Sequence, residues 1–337
     1  MIPERRFTRR VNLTDIARAC GVAPSTVSRA LSNPGRVSAA MYELISTKAV
    51  EMGYASATLP QGPERRARGT IALVVPNLVN PFVHDLIRGS QAQAQAAGFL
   101  FLLVNTEESA HVELNWLKEL SKTVDGVVLA SPRGSETTLR SIGDATPLTI
   151  INREVPGISS VVIDTPSSSV EALHYLASLG HRRIAYVRGP QSSWTDHARI
   201  TALEAAVKEM EVELLPIGAF HPSLSAGAAA ADAVALSGAT GALFFNDTLA
   251  IGAMMRFRQR GVDVPEKISV VGCDDIAAAE TSSPPLTTVT ASGERAGRAA
   301  TELLIGQFTA RTPRPRTERL AAHLTVRDST GPVAAAE

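Results

Sequence analysis

At 337 residues the chain is too long for one compact unit and suggests two or three domains. Apolar residues make up 45% and charged residues 20%, which excludes an intrinsically disordered chain. The net charge of zero hides an asymmetry, since residues 1–70 carry 11 Lys/Arg against 5 Asp/Glu and the remainder 22 against 28. A basic head on an acidic body is expected of a polyanion-binding module joined to a second unit. The two cysteines, Cys20 and Cys273, are too few and too far apart for a disulfide framework or a metal quartet, and fit a reducing compartment. The longest apolar runs, 71–75 and 99–104, fall far short of the ~20 residues of a membrane span. Four early arginines have no apolar core behind them, so no signal peptide is expected and the location is expected to be cytoplasmic.

In chain order, residues 11–54 read as short helices, with Ile16, Ala17, Val27, Ala30, Leu31, Leu44, Ile45 and Val50 at helical spacings. Within them, LTDIARACGVAPSTVSRALS (13–32) has the form of two helices joined by a tight turn. Gly21 supplies the turn, Val22 an apolar plug, and Pro24 sits where a first helical turn tolerates a missing N–H. If Val27, Ala30 and Leu31 face inward, then Ser25, Thr26, Ser28 and Arg29 face outward, on a surface able to enter a DNA major groove. Arg29 can fork onto a guanine edge, and the hydroxyls suit phosphates or bases. Thr14, Pro24 and Ser32 complete the candidate DNA-facing set. Residues 57–69, rich in Pro, Gly and Arg, read as a linker.

From Thr70 the pattern becomes α/β. Strand-like runs at 71–75, 99–104, 126–130, 147–151, 160–163, 184–188, 242–245 and 268–272 alternate with helical stretches at 82–97, 112–122, 167–179, 198–210 and 249–260. That alternation implies parallel sheets covered on both faces, and the length favours two lobes over one sheet. Ligands of open parallel sheets bind beyond the carboxyl ends of the strands. The residues there are polar: Asn77, Asn80, Asn105, Ser131, Asn152, Asn246, Asp247, Asp274 and Asp275, with Trp194 in the loop after 184–188 and Arg199 beyond it. For Asp247 helix capping and ligand contact stand level, while Asp275 and Asn105 read as structural. Trp116, inside a helical run, reads as core. Phosphate-loop, dinucleotide, nucleophile-elbow and zinc-helix motifs are absent, so no enzyme, cofactor or metal is expected.

The string DIARACGVAPSTVSRALSNPGRVS (15–38) and EMGY (51–54) resemble the start of LacI–GalR family transcriptional regulators. The resemblance continues through IALVVPNLVNPF (71–82), DGVVLA (125–130), LGHRRIAYVRGP (179–190), FNDTLAIGAM (245–254), ISVVGCDDI (268–276) and SPPLTTV (283–289), covering about residues 11–330. It implies a helix-turn-helix DNA-binding head (1–56), a hinge (57–69) and a two-lobed body like periplasmic sugar-binding proteins (70–331). Lobe 1 would hold about 70–163 and 292–320, and lobe 2 about 164–291 and 321–331. It further implies a homodimer on double-stranded operator DNA, acting as a repressor whose affinity a small polar effector controls. The effector contacts carried over fall on Asn80, Phe82, Asn152, Arg199, Asn246 and Asp274, with Trp194 added as an aromatic face for a sugar ring. A nucleobase would use the same kinds of group, but a sugar leads.

Two departures stand out. Ala23 replaces the family's usual helix-capping serine, a loss of about 1 kcal/mol. Pro60, Gly62 and Pro63 oppose the family's hinge helix, and Leu59 is the nearest candidate for its minor-groove wedge. A transport binding protein and a Rossmann-type enzyme are the rival classes. The former would need a signal peptide and no DNA-binding head, the latter a nucleotide motif.

Overall fold

The computed structural model of the protein describes residues 12–32, 37–52, 69–309 and 314–333. These fall into two compact units, a head ending before residue 67 and a body following it.

In the head, α1 (Leu13–Cys20) starts from Asn12, whose side chain accepts from the N–H groups of Thr14 and Asp15 while Asp15 accepts from the N–H of Asn12. It stops at Gly21, whose φ of +66° lets the Val22 N–H reach back to the Ala17 carbonyl. Helix α2 (Pro24–Ser32) then begins with Pro24, and the carbonyl of Ala23 accepts from Thr26 and Val27. Helix α3 (Ala39–Glu51) closes a core of Ile16, Ala17, Val27, Ala30, Ile45 and Ala49. Leu44, expected inside, is 45% exposed, because Ile45 and Ala49 take the inward face of α3. The side chains of Leu31 and Val50, the linker and Leu59 lie outside the described residues, as does the expectation of a broken hinge helix.

The body opens with β1 (Thr70–Val75), α4 (Pro81–Ala96), β2 (Leu100–Asn105), α5 (Ala110–Thr123), β3 (Gly126–Ala130), α6 (Glu136–Ala145), β4 (Leu148–Ile151) and β5 (Ser159–Asp164). It continues with α7 (Thr165–Ser178), β6 (Arg183–Val187), α8 (Trp194–Ala206), β7 (Glu213–Ile217), α9 (Leu224–Ser237), β8 (Gly241–Phe244), α10 (Asp247–Gln259) and β9 (Ser269–Asp274). The last elements are α11 (Ala277–Thr281), β10 (Thr287–Thr290), α12 (Gly293–Thr309), β11 (Thr317–Ala321) and β12 (His323–Thr325). Two six-stranded sheets result, ordered β11-β5-β4-β3-β1-β2 in lobe 1 and β12-β10-β9-β8-β6-β7 in lobe 2. All neighbours pair in parallel except β10 with β12. Inner strands such as β1 and β3 are buried almost throughout, as helices covering both faces require.

The chain passes between the lobes three times: from β5 into α7, from β10 into α12, and from β11 into β12. In lobe 2, α9 and α10 approach so closely that a Cβ at Gly227 or Gly252 would sit 2.2 Å from a carbonyl oxygen of the opposite helix.

The eight strands expected from the sequence are all present, and four more join them. One of these, β7, contains Pro216, and its place at the sheet edge is what tolerates a residue without an N–H. Helices α6, α9, α11 and α12 also lie outside the helical stretches named from the sequence, α9 because its alanine-rich sequence carries little apolar contrast. Trp116, expected in a core, is 45% exposed, since α5 turns Leu117 and Leu120 inward instead.

Candidate functional site

The carboxyl ends of both sheets meet at a cleft between the lobes. Asn77, Asn80, Phe82, Glu108, Ser131, Arg133 and Asn152 line it from lobe 1, and Ser193, Thr195, Arg199, Phe245, Asn246 and Asp274 from lobe 2. Among the described residues, every non-glycine with positive φ lies at one of these strand ends: Glu107, Glu108, Ser131, Asn152, Asp274 and Asp275. Such backbone is costly and concentrates where a loop must aim side chains at a ligand.

Each cleft residue has a local reason for its position. Asn80 caps α4 by accepting from the Phe82 N–H, and its Nδ2 donates across the cleft to Asp274 Oδ2 at 3.4 Å. A second contact between lobes runs from Thr195 Oγ1 to the Asn152 carbonyl, also at 3.4 Å. Asn152, at φ +61°, accepts the Ile163 N–H with its side chain. Asn246 caps α10 through Oδ1, accepting from Leu249, while its buried Nδ2 has no partner among the described residues. A buried amide N–H pair without an acceptor is costly, and a ligand oxygen would satisfy it.

Arg199 is buried on α8 and donates to Thr165 Oγ1 and to the Phe245 carbonyl, with its guanidinium 5.1 Å from the Phe245 ring centre. Burial alone would lower its pKa, but Cys273, Tyr186, Asp274 and Asp196 around it raise it, so it stays a cation. Asp274 ends β9 at φ +120°. Burial, and then the nearby Asp247 carboxylate, push its pKa up to about 8, against the opposing effects of Arg199 and Asn80.

Asp247 resolves as structural. It is the first helical residue of α10, with Asn246 capping before it. Its carboxylate accepts from Thr288 Oγ1 and from the N–H groups of Ile276 and Asp275, which pins the turn after β9 that carries Asp274. Asp275 pairs with Arg327 and accepts from Thr290, and Asn105 accepts from the Glu107 N–H.

Trp194 requires a correction. It heads α8 instead of lying in the preceding loop, and it does not line the cleft, which its neighbours Ser193 and Thr195 do. Sequence reasoning missed Glu108 and Arg133. Arg133 donates to Glu108 Oε2 through Nε at 2.7 Å and Nη2 at 2.6 Å, with both side chains nearly buried. In the strings NTEES and SPRGS both look like ordinary solvated loop charges, and only the left-handed backbone at Glu108 and Ser131 turns them inward.

In the head, Thr14, Pro24, Ser25, Ser28 and Arg29 are exposed and Thr26 is partly so, while the side chain of Ser32 lies outside the described residues. The Arg29 guanidinium folds back along α2, donating to the Ser25 carbonyl at 3.1 Å. No helix among the described residues is long and apolar enough to cross a membrane.

Residues 12–56 match the bacterial regulatory proteins of the lacI family, and residues 173–330 match a periplasmic binding protein-like domain. The HTH-type transcriptional regulator DegA of Bacillus subtilis is 32% identical over 291 residues, 83% of this chain and 86% of DegA. Among solved structures, a complex of the transcriptional regulator CelR with cellobiose superposes with a TM-score of 0.71 at 28% identity, covering 95% of this chain and all of that one. A LacI family regulator from Enterococcus faecium with bound ribose gives 0.69 at 27% identity, over 78% of this chain and 99% of its own. The basic helix-turn-helix head, the three-times-crossed body and these likenesses agree: the chain belongs to the lacI family of bacterial regulatory proteins and is a DNA-binding transcriptional regulator.

Proposed function

We propose that the protein is a homodimeric repressor that binds double-stranded operator DNA through α2 and releases or grips it according to a sugar held in the cleft. The observation that carries the effector reading is the conjunction of Asp274, Arg199 and the unpartnered Asn246 amide on one wall. A carboxylate accepts from adjacent hydroxyls, a guanidinium donates to ring and hydroxyl oxygens, and the amide donates to one more. Phe82 offers an apolar face for the C–H side of a ring. The cellobiose and ribose in related regulators favour a sugar over other small polar molecules. Asn80, Phe82, Asn152, Arg199, Asn246 and Asp274 are the proposed effector contacts.

For DNA, Pro24, Ser25, Thr26, Ser28 and Arg29 on α2 are the proposed reading face, with Thr14 and Ser32 at its flanks. Arg29 would leave Ser25 for a base edge, so Arg29→Ala should lower sequence discrimination as well as affinity. Support for the dimer comes from β2, an edge strand that exposes Leu100, Leu102 and Leu103. Relative tilting of the lobes about the three crossings would alter the spacing of the two heads.

The deciding experiment is a gel-shift titration of full chain and of the body from residue 69 on candidate operators, with and without sugars. Salt-sensitive binding by the full chain alone, changed by a sugar that also raises Tm, is expected. Equal binding by the body alone would end this reading.

A further inference from the structure

We propose that Arg133 is an effector contact on the lobe 1 wall that selects uncharged, hydroxyl-rich ligands, and that Glu113, which does not line the cleft, is the residue that positions it. The proposal rests on the sugar-cleft reading above and narrows it to a charge class.

A guanidinium carries five N–H groups. Arg133 directs Nε and Nη2 at the Glu108 carboxylate and Nη1 at the Ser131 carbonyl. Two N–H groups are left without a partner among the described residues, on a side chain that lines the cleft. Glu108 is held in turn by Asn77 Nδ2 at 2.7 Å, so the pair is fixed from both ends. With side-chain exposures of 5% and 12%, the two charges sit in a medium that screens poorly. A hydroxyl placed there can accept from Arg133 and donate to Glu108 at once. A carboxylate or phosphate could take the arginine only by standing beside the glutamate, and like charges in so dry a place repel strongly. The wall therefore favours neutral ligands although it displays an arginine.

Arg133 lies on the short loop between β3 and α6, and Ser131 there is at φ +45°. The carboxylate of Glu113, on α5 and 2% exposed, accepts the N–H of Arg133 and the N–H of Gly134, both at 2.9 Å, one on each oxygen. Arg153 Nη1 holds the Gly134 carbonyl from the other side at 2.7 Å. Burial raises the pKa of Glu113, and those two backbone N–H groups, with Arg133 and Arg153, work to keep it ionised. The position requires two acceptors together. Glutamine offers one, and its amide would confront an N–H with an N–H.

The test uses the full chain, titrated by calorimetry and by thermal shift with D-ribose, D-glucose and cellobiose and with ribose 5-phosphate, gluconate and cellobionate. Wild type should bind a neutral member at least tenfold more tightly than its anionic counterpart. Arg133→Ala should weaken that neutral sugar at least tenfold, and Glu113→Gln at least threefold. The loss from Glu113→Gln should vanish in the Arg133→Ala background, because a positioning residue has nothing left to position. Gly134→Ala disturbs the same anchor independently, since its Cβ would come to 3.0 Å of Glu113 Oε1, and it decides the matter if Glu113→Gln does not fold. An unchanged Kd for Arg133→Ala with a responding neutral sugar overturns the contact and leaves the sugar cleft standing. A lower Tm with unchanged Kd in both anchor variants overturns the role of Glu113. Preference for the anionic members, or response to none, overturns the proposed effector class and this inference with it.

Discussion

In lobe 1 the cleft guanidinium, Arg133, lies against the Glu108 carboxylate, whereas in lobe 2 Arg199 donates to a hydroxyl and a carbonyl and faces Asp274 without an ion pair among the described residues. The sheets behind them are alike, six strands each with the same parallel interior. The difference lies in how each charge is balanced before a ligand arrives. A paired charge fixes a loop and varies little with conditions, while an unpaired buried charge stays poised to gain a partner. On the proposed effector reading, lobe 2 is therefore expected to supply the more pH-sensitive half of the site and lobe 1 the half whose charges are already paired.

The contrast is broken most severely at Asp247. Replacing it by alanine strands the Thr288 hydroxyl and two backbone N–H groups in the interior, at roughly 3 kcal/mol or more. Chemical denaturation should show that loss, and any folded fraction should fail to bind effector because the turn carrying Asp274 is released. Asp274→Asn comes next. It keeps the volume and removes the charge that accepts from hydroxyls, so effector affinity should fall at least tenfold, about 1.5–3 kcal/mol, by calorimetry. An unchanged Kd would move the site away from β9.

A change of pH should separate the two walls without mutation. With its pKa raised to about 8 in the empty cleft, Asp274 binds a proton that the unfolded chain, at about 4, would not. The native state thus holds more protons than the unfolded state between those values, and empty protein should become more stable as pH falls from 8 to 6.5. Hydroxyl donors favour the charged carboxylate, so effector binding expels the proton and should weaken over the same interval, by roughly tenfold. In Asp274→Asn both trends should flatten, and if the slope of Kd with pH persists there, another group is titrating. The smallest effect is expected from Trp194→Phe, within about twofold in Kd, because that ring does not line the cleft.

Legibility in the sequence followed the same division. Asn246 and Asp274 stand beside strand ends and Arg199 on the helix that follows β6, all in motifs whose neighbours are unambiguous, and the structure brings the three to one wall. The lobe 1 pair was invisible, because nothing in the composition of a polar loop says that Glu108 and Ser131 adopt left-handed backbone. Trp194 was misplaced for a related reason, since helix phase at α8 depends on where Ser193 caps it. Edge strand β7 escaped because a proline masks strand character. The fold's inner strands needed no such detail, since continuous apolar runs between helices specify them.

The three crossings between lobes also set the order in which the protein can be finished. Lobe 1 holds β1 to β5 early in the chain, but its edge strand β11 and the helix α12 that covers α4 and the sheet come from residues 293–321, after nearly all of lobe 2. At translation rates of about 5–20 residues per second, the stretch from β5 to β11 takes roughly 8–30 s to emerge. Throughout that interval β5 is an unpaired edge, and the apolar faces of α4 and β1 lack their cover. Neither sheet can therefore be completed before residues 317–325 are made, since β5 waits for β11 and β10 for β12.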